Sequence, residues 1–103
     1  MAKVDKRAEK ELKKFPDAVY AKFIFLFEIL ELEGKLDQPY AKKLKGNLFE
    51  LRVRHQGQWR GVYAYLSGDI IIVLSAFRKK SQKTPAKELN KAEKRLSFYT
   101  KES

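Results

Sequence analysis

The sequence predicts an α+β domain: two helices, an antiparallel sheet of three strands or four, and a closing helix. Three observations carry this. Residues 48–77 hold three strand-like runs separated by short turns. Residues 17–33 are apolar over most of a helical circumference, as in a helix buried against a sheet. The pair Thr84-Pro85 then opens a helical pattern, with Thr at the capping position and Pro at the first helical one. There is no repeat, linker or low-complexity segment, so residues 1–103 read as a single domain.

The first helix spans 5–14. Ala8, Leu12 and Phe15 form a narrow stripe at i, i+4 and i+7 among charged residues, with Asp5 as N-cap. Pro16 stops it, because the residue before a proline resists the α region, and it serves as first residue of a second helix ending at Glu33. Gly34 is a natural left-handed cap. The pair is an α-hairpin that packs on the sheet. Residues 35–47 are a connector punctuated by Pro39, Gly46 and Asn47.

The first strand, Leu48–Arg54, alternates: Phe49, Leu51 and Val53 on one face, Glu50, Arg52 and Arg54 on the other. Residues 55–58 turn the chain. Trp59–Leu66 places Trp59, Tyr63 and Tyr65 on one side and Arg60, Val62, Ala64 and Leu66 on the other. Residues 67–69 form a hairpin loop. Ile70–Phe77 is apolar on both faces, as in a strand covered from both sides. A basic loop, residues 78–83, leads to the last helix, which ends near Tyr99 and buries Leu89, Ala92 and Leu96.

Composition narrows the function. The chain has no cysteine and one histidine, so disulfide frameworks and thiolate metal sites are excluded, and neither a metal nor another cofactor is expected. The N-terminus is charged rather than a signal peptide, and the longest apolar run, Phe23–Phe27, is far short of the ~20 residues that span a bilayer. The expected setting is cytoplasmic, without membrane association. Net charge is +10, and residues 1–34 are neutral, so residues 35–103 carry the whole excess. That asymmetry points to a polyanionic partner, nucleic acid first; a merely solubilising surface is the alternative.

Arg52 and Arg60 fall on adjacent strands of one hairpin, about 5 Å apart, so their guanidiniums converge. The third strand ends near Arg60 and brings Lys79, Lys80 and Lys83 to the same patch. Such cations suit cleavage of a phosphodiester by its own 2′-hydroxyl, where charge builds on the phosphoryl oxygens. With His55 alone in a turn, a lysine (Lys80 or Lys83) or a tyrosine must move the proton. Lys43, Lys45, Arg54, Arg78 and Lys79 are candidate RNA contacts, and Tyr63 is a candidate stacking platform.

The succession LFELRVRH, QWRGVYAYL, IIIVLSAFRKKSQKTP and KELNKAEKRLSFY resembles the HigB-type, phage-derived branch of the RelE/ParE toxin superfamily, and AEKELKKFP resembles the first helix of RelE-like toxins. The resemblance covers nearly the whole chain. It implies a RelE-like compact domain and a type II toxin that is a ribosome-dependent mRNA endoribonuclease, acting without metal. It implies as partners a HigA-like helix-turn-helix antitoxin, the ribosome and mRNA. By position, Arg52, Arg60, Lys80 and Lys83 are the catalytic candidates. RelE-like chains open with a strand before the first helix, and here only residues 1–4 are available. An uncovered edge at Ile70–Leu74, protected by the antitoxin, is therefore expected. The competing reading is a non-catalytic RNA- or ribosome-binding protein, or a phage regulator, using the same patch.

Overall fold

Two-residue alternation in the strands and a continuous apolar helix divide the molecule into three layers. The computed structural model describes residues 2–68, 70–80 and 83–100. Asp69 of the predicted hairpin loop and Ser81 and Gln82 of the basic loop lie outside them. The elements run β1 (Ala2–Val4), α1 (Lys6–Lys13), α2 (Asp17–Glu33), β2 (Ala41–Lys43), β3 (Leu48–Arg54), β4 (Gln58–Ser67), β5 (Ile70–Lys79) and α3 (Ala86–Thr100). The sheet order is β1-β5-β4-β3-β2. The predicted meander is its centre, with β3–β4 and β4–β5 antiparallel.

Two short strands extend the sheet beyond the prediction. β1 pairs in parallel with β5, Lys3 opposite Ile72, and the ladder continues as the Asp5 amide donates to the Val73 carbonyl at 2.9 Å. The edge expected to be bare is thus covered by the chain itself. Where β1 stops, side chains take over. Glu11 accepts from the Ala76 amide at 3.0 Å, and Arg95 donates to the Leu74 carbonyl at 2.9 Å. β2 lies within the predicted connector and pairs with β3, burying Ala41.

α1 and α2 cover one face. Ala8, Leu12, Phe23 and Leu30 pack there on Leu51, Trp59, Tyr63 and Val73. α3 covers part of the other, setting Leu89, Ala92 and Leu96 against Val62, Ile72 and Leu74. β5 is apolar on both sides because it lies between these layers. Pro16 sits at the capping position of α2 rather than inside it, and Gly34 ends the helix at φ 78° as expected. Among the described residues no helix is long and apolar enough to cross a membrane.

Gly61 shows how tightly α2 sits. A Cβ there would lie 3.2 Å from Phe23 Cε1 and 3.6 Å from the Ser75 carbonyl. Phe23 is fully buried and has little room to retreat. Gly61→Ala is therefore expected to destabilise the fold by about 1–2 kcal/mol through overpacking, measurable as a lower urea midpoint. An unchanged midpoint would mean the helix adjusts freely.

Candidate functional site

The cation cluster forms on the part of the sheet that α3 leaves open. Register does most of the work, because Arg52 stands directly opposite Arg60 across the β3–β4 hairpin. β5 continues past the predicted end to Lys79, which pairs with Gln58. The two added residues bring Lys79 inward, beside the arginines.

At the centre is a carboxylate that the alternation of β3 places simply on its charged face. Glu50 is fully buried. Its Oε1 lies 3.2 Å from Arg52 Nε, 3.3 Å from Arg60 Nε and 4.0 Å from Lys79 Nζ. Its Oε2 accepts a hydrogen bond from the Thr84 hydroxyl, which thus serves the site. The available signal was Glu50's place on the charged face of β3, two residues from Arg52. What strand alternation cannot reveal is that α3 and its leading turn close over that position.

Arg60 is 6% exposed. It donates to the Trp59 carbonyl at 3.1 Å and to the Gln58 side chain. Burial lowers the pKa of its guanidinium, Glu50 opposes the shift, and Arg52 and Arg54 add to it. The Lys79 side chain is 7% exposed. Burial lowers its ammonium below the ordinary lysine range; Glu50 works against this, while Arg60, Arg52 and Lys42 reinforce it. The Arg52 side chain is 31% exposed and is the arginine an entering anion meets. One carboxylate faces three cations, so the site keeps a net positive charge in a partly dry setting, where fixed charge acts strongly on an anion.

Above this floor opens a cleft of about 980 Å³. Arg52, Arg60 and Lys79 line it, with Arg54, Arg78 and Lys80 around them and Tyr40 on one wall. Arg78 lies over the Trp59 ring, 5.0 Å from its centroid. Most of the predicted patch is brought together here. Lys43, Lys45 and Lys83 are not; they line a smaller neighbouring cleft. Tyr63 must be corrected. It is fully buried, stacked on Phe49 at 5.4 Å on the helical face, and so out of reach of any base. Trp59 is also buried, against Phe15 at 4.8 Å. The main-chain carbonyl of His55 accepts from the Trp59 indole at 2.9 Å.

A family profile described as Phage derived protein Gp49-like (DUF891) matches residues 10–97. No curated protein sequence matches the chain. Among solved structures, the chain is similar to a free-state form of the E. coli toxin RelE with two arginines replaced by alanine. That match has 21% identity and a TM-score of 0.72, and covers 93% of this chain and 96% of that one. The intact E. coli RelBE toxin–antitoxin complex matches at 20% identity and TM-score 0.64, over 79% of this chain and 98% of that one. The RelB–RelE antitoxin–toxin complex of Methanococcus jannaschii matches at 24% and 0.61, over 74% and 88%.

Proposed function

Since the chain belongs to the phage-derived Gp49-like family and has the RelE fold, we propose that it is the toxin of a type II toxin–antitoxin pair and an mRNA endoribonuclease acting on translated mRNA. The observation that carries this reading is the open cleft floored by Arg52, Arg60 and Lys79 around buried Glu50. A phosphodiester entering it meets guanidinium and ammonium donors already held in place, so little reorganisation is needed as charge develops. In the proposed reaction the ribose 2′-oxygen attacks the adjacent phosphorus and the bond from phosphorus to the 5′-oxygen breaks. The 2′-hydroxyl gives up its proton, and the departing 5′-oxygen gains one. The products are a 2′,3′-cyclic phosphate and a 5′-hydroxyl.

Arg52 grips the phosphate, Arg60 fixes the floor and its potential, and Lys80 adds charge at the rim. The charge needed comes from these side chains, so the reaction is written without a metal. Lys79 takes the proton-transfer role in place of Lys80 or Lys83. Its ammonium sits in the floor of the cleft beside Arg60 and Arg52, where burial lowers its pKa, and a catalytic proton carrier works best with a pKa near the working pH. Lys79→Arg keeps the charge but loses that proton. It is expected to cut cleavage by about 10²-fold or more in single-turnover primer extension on translated mRNA. Retention of more than half the rate would remove Lys79 from this role.

The antitoxin complexes of RelE proteins support a neutralising partner here, taken to be a HigA-like helix-turn-helix antitoxin in the cytoplasm. The non-catalytic alternative draws on one feature, that among the described residues the side chains lining the cleft include neither histidine nor an accessible carboxylate. Expression decides between them. The wild type is expected to arrest bacterial growth and yield ribosome-dependent cuts in mRNA, and Arg60→Ala with Lys80→Ala to relieve both. Arrest without cuts would favour the binding protein, and arrest surviving both substitutions would refute the site.

A further inference from the structure

Three of the cations singled out in the sequence, Lys43, Lys45 and Lys83, take no part in the cleavage cleft. They line a second cleft of about 260 Å³ together with Lys42. The two clefts are not independent. Arg52 and Lys79 line both, so the second begins where the first ends. It extends across the sheet toward β2, where Lys42 stands opposite Glu50 in the β2–β3 register. From β5 to β2 is three strand spacings, about 14 Å.

On the ribonuclease reading, Arg52 in the larger cleft takes a single phosphate. Cations continuing for a further strand spacing or two make sense only for a ligand with more than one phosphate along its length. Half-buried Leu44 and Leu89 line the smaller cleft as well, providing apolar surface of the kind a ribose or base edge covers. Lys45 is steered toward the α3 side by Glu93, at 3.8 Å. We propose that the smaller cleft is a second phosphate subsite, in which Lys42, on the Glu50 face of β2, and Lys45 hold a neighbouring backbone phosphate of the same RNA strand. The inference rests on the ribonuclease reading above and adds the strand's path. The RNA crosses the sheet edgewise over Arg52 and Lys79, so the preferred ligand is a single-stranded polynucleotide rather than an isolated phosphate or mononucleotide.

The test is salt-dependent binding of a fluorescent, fully 2′-O-methylated RNA of about six nucleotides, followed by anisotropy. Each backbone phosphate neutralised contributes about 0.7 to the slope of log affinity against log salt for a single strand. The variant with Lys42→Gln and Lys45→Gln, which removes one phosphate contact, is therefore expected to lose about 0.7 from that slope. A charge-matched control with Lys10→Gln and Lys14→Gln, both exposed on the α1–α2 side, is expected to keep the wild-type slope. Urea midpoints establish that both variants are folded. Equal losses in the two variants, or no loss in the first, would overturn the subsite while leaving the cleavage cleft standing. No salt-dependent RNA binding by the wild type would overturn the functional reading and the subsite with it.

Discussion

Replacing Glu50 with alanine is expected to destabilise the protein by about 3–5 kcal/mol, the range for removing one partner from a buried ion cluster. The cost falls unevenly. Arg52 is partly exposed and can turn to solvent once the carboxylate is gone. Arg60 and Lys79, each with a side chain only 7% exposed, cannot do so without breaking the packing around them. Two cations would then remain buried without a counter-charge. Glu50→Gln retains an acceptor for Arg52 and Thr84 but not the charge. It should lose about 2–3 kcal/mol, as expected when charge-assisted hydrogen bonds become neutral ones. The pH dependence distinguishes this account from a simple packing defect. Lys79 has a folded pKa below its ordinary 10.5, so between those two values the unfolded chain holds a proton that the folded one has released, and stability rises with pH. Glu50 is the group that raises Lys79, so without its charge the rise begins at lower pH. Urea titrations of wild type and Glu50→Gln from neutral to alkaline pH measure this. Parallel curves would show that Glu50 does not hold Lys79.

Much of this site is legible in the chain, for definite reasons. The alternation of β3 can be read because α2 buries one of its faces while the other carries the charged cluster, so the two-residue period is strong. The meeting of Arg52 and Arg60 follows from their places on the two arms of one short-turned hairpin; the turn is 55–57, one residue shorter than the expected 55–58, with Gly57 at φ 136°. The doubly apolar β5 correctly announces helices on both sides. Other features leave too faint a trace. β1 and β2 are three residues each, too short for any periodicity, and they exist because β5 and β3 offer unpaired edges. Which of Lys79 and Lys80 enters the floor depends on where β5 ends, and a shift in that end reverses the faces. Tyr63 misleads because an aromatic residue among basic ones looks the same in sequence whether it stacks on a base or on Phe49. Glu50 is hidden for a related reason. A charge beside an arginine normally marks solvent, and only the approach of Thr84 and α3 makes it a buried hub.

Acid should expose a second hub, Asp5, which joins three elements remote from the cleft. It ends β1, and its side chain caps α1 by accepting from the amides of Arg7 at 2.8 Å and Ala8 at 3.3 Å. It also pairs with the Arg7 guanidinium at 2.8 Å and accepts from the Tyr99 hydroxyl of α3 at 2.5 Å. Burial by itself would raise this carboxyl, but the hydrogen bonds from Arg7, Tyr99 and the Ala8 amide outweigh it and hold the pKa far below the ordinary 3.8. Glu11 behaves similarly. Burial raises it, while Arg95, the Ala76 amide and Lys91 bring it below its ordinary 4.5. In both cases the folded pKa is the lower one, so the stabilisation is complete above the ordinary value and is lost as pH falls toward the folded value. Asp5→Ala at neutral pH is expected to cost about 3 kcal/mol, combining a lost helix cap with lost charge-assisted hydrogen bonds. Asp5→Asn keeps a capping oxygen but cannot titrate. Below about pH 4 its stability should fall less steeply than wild type, by the contribution of one proton, about 1.4 kcal/mol per pH unit. Urea melts of the two proteins down to about pH 2.5 would show the curves converging as acid is added. If they stay parallel, Asp5 is not the carboxylate through which acid unfastens α3 from the start of the chain.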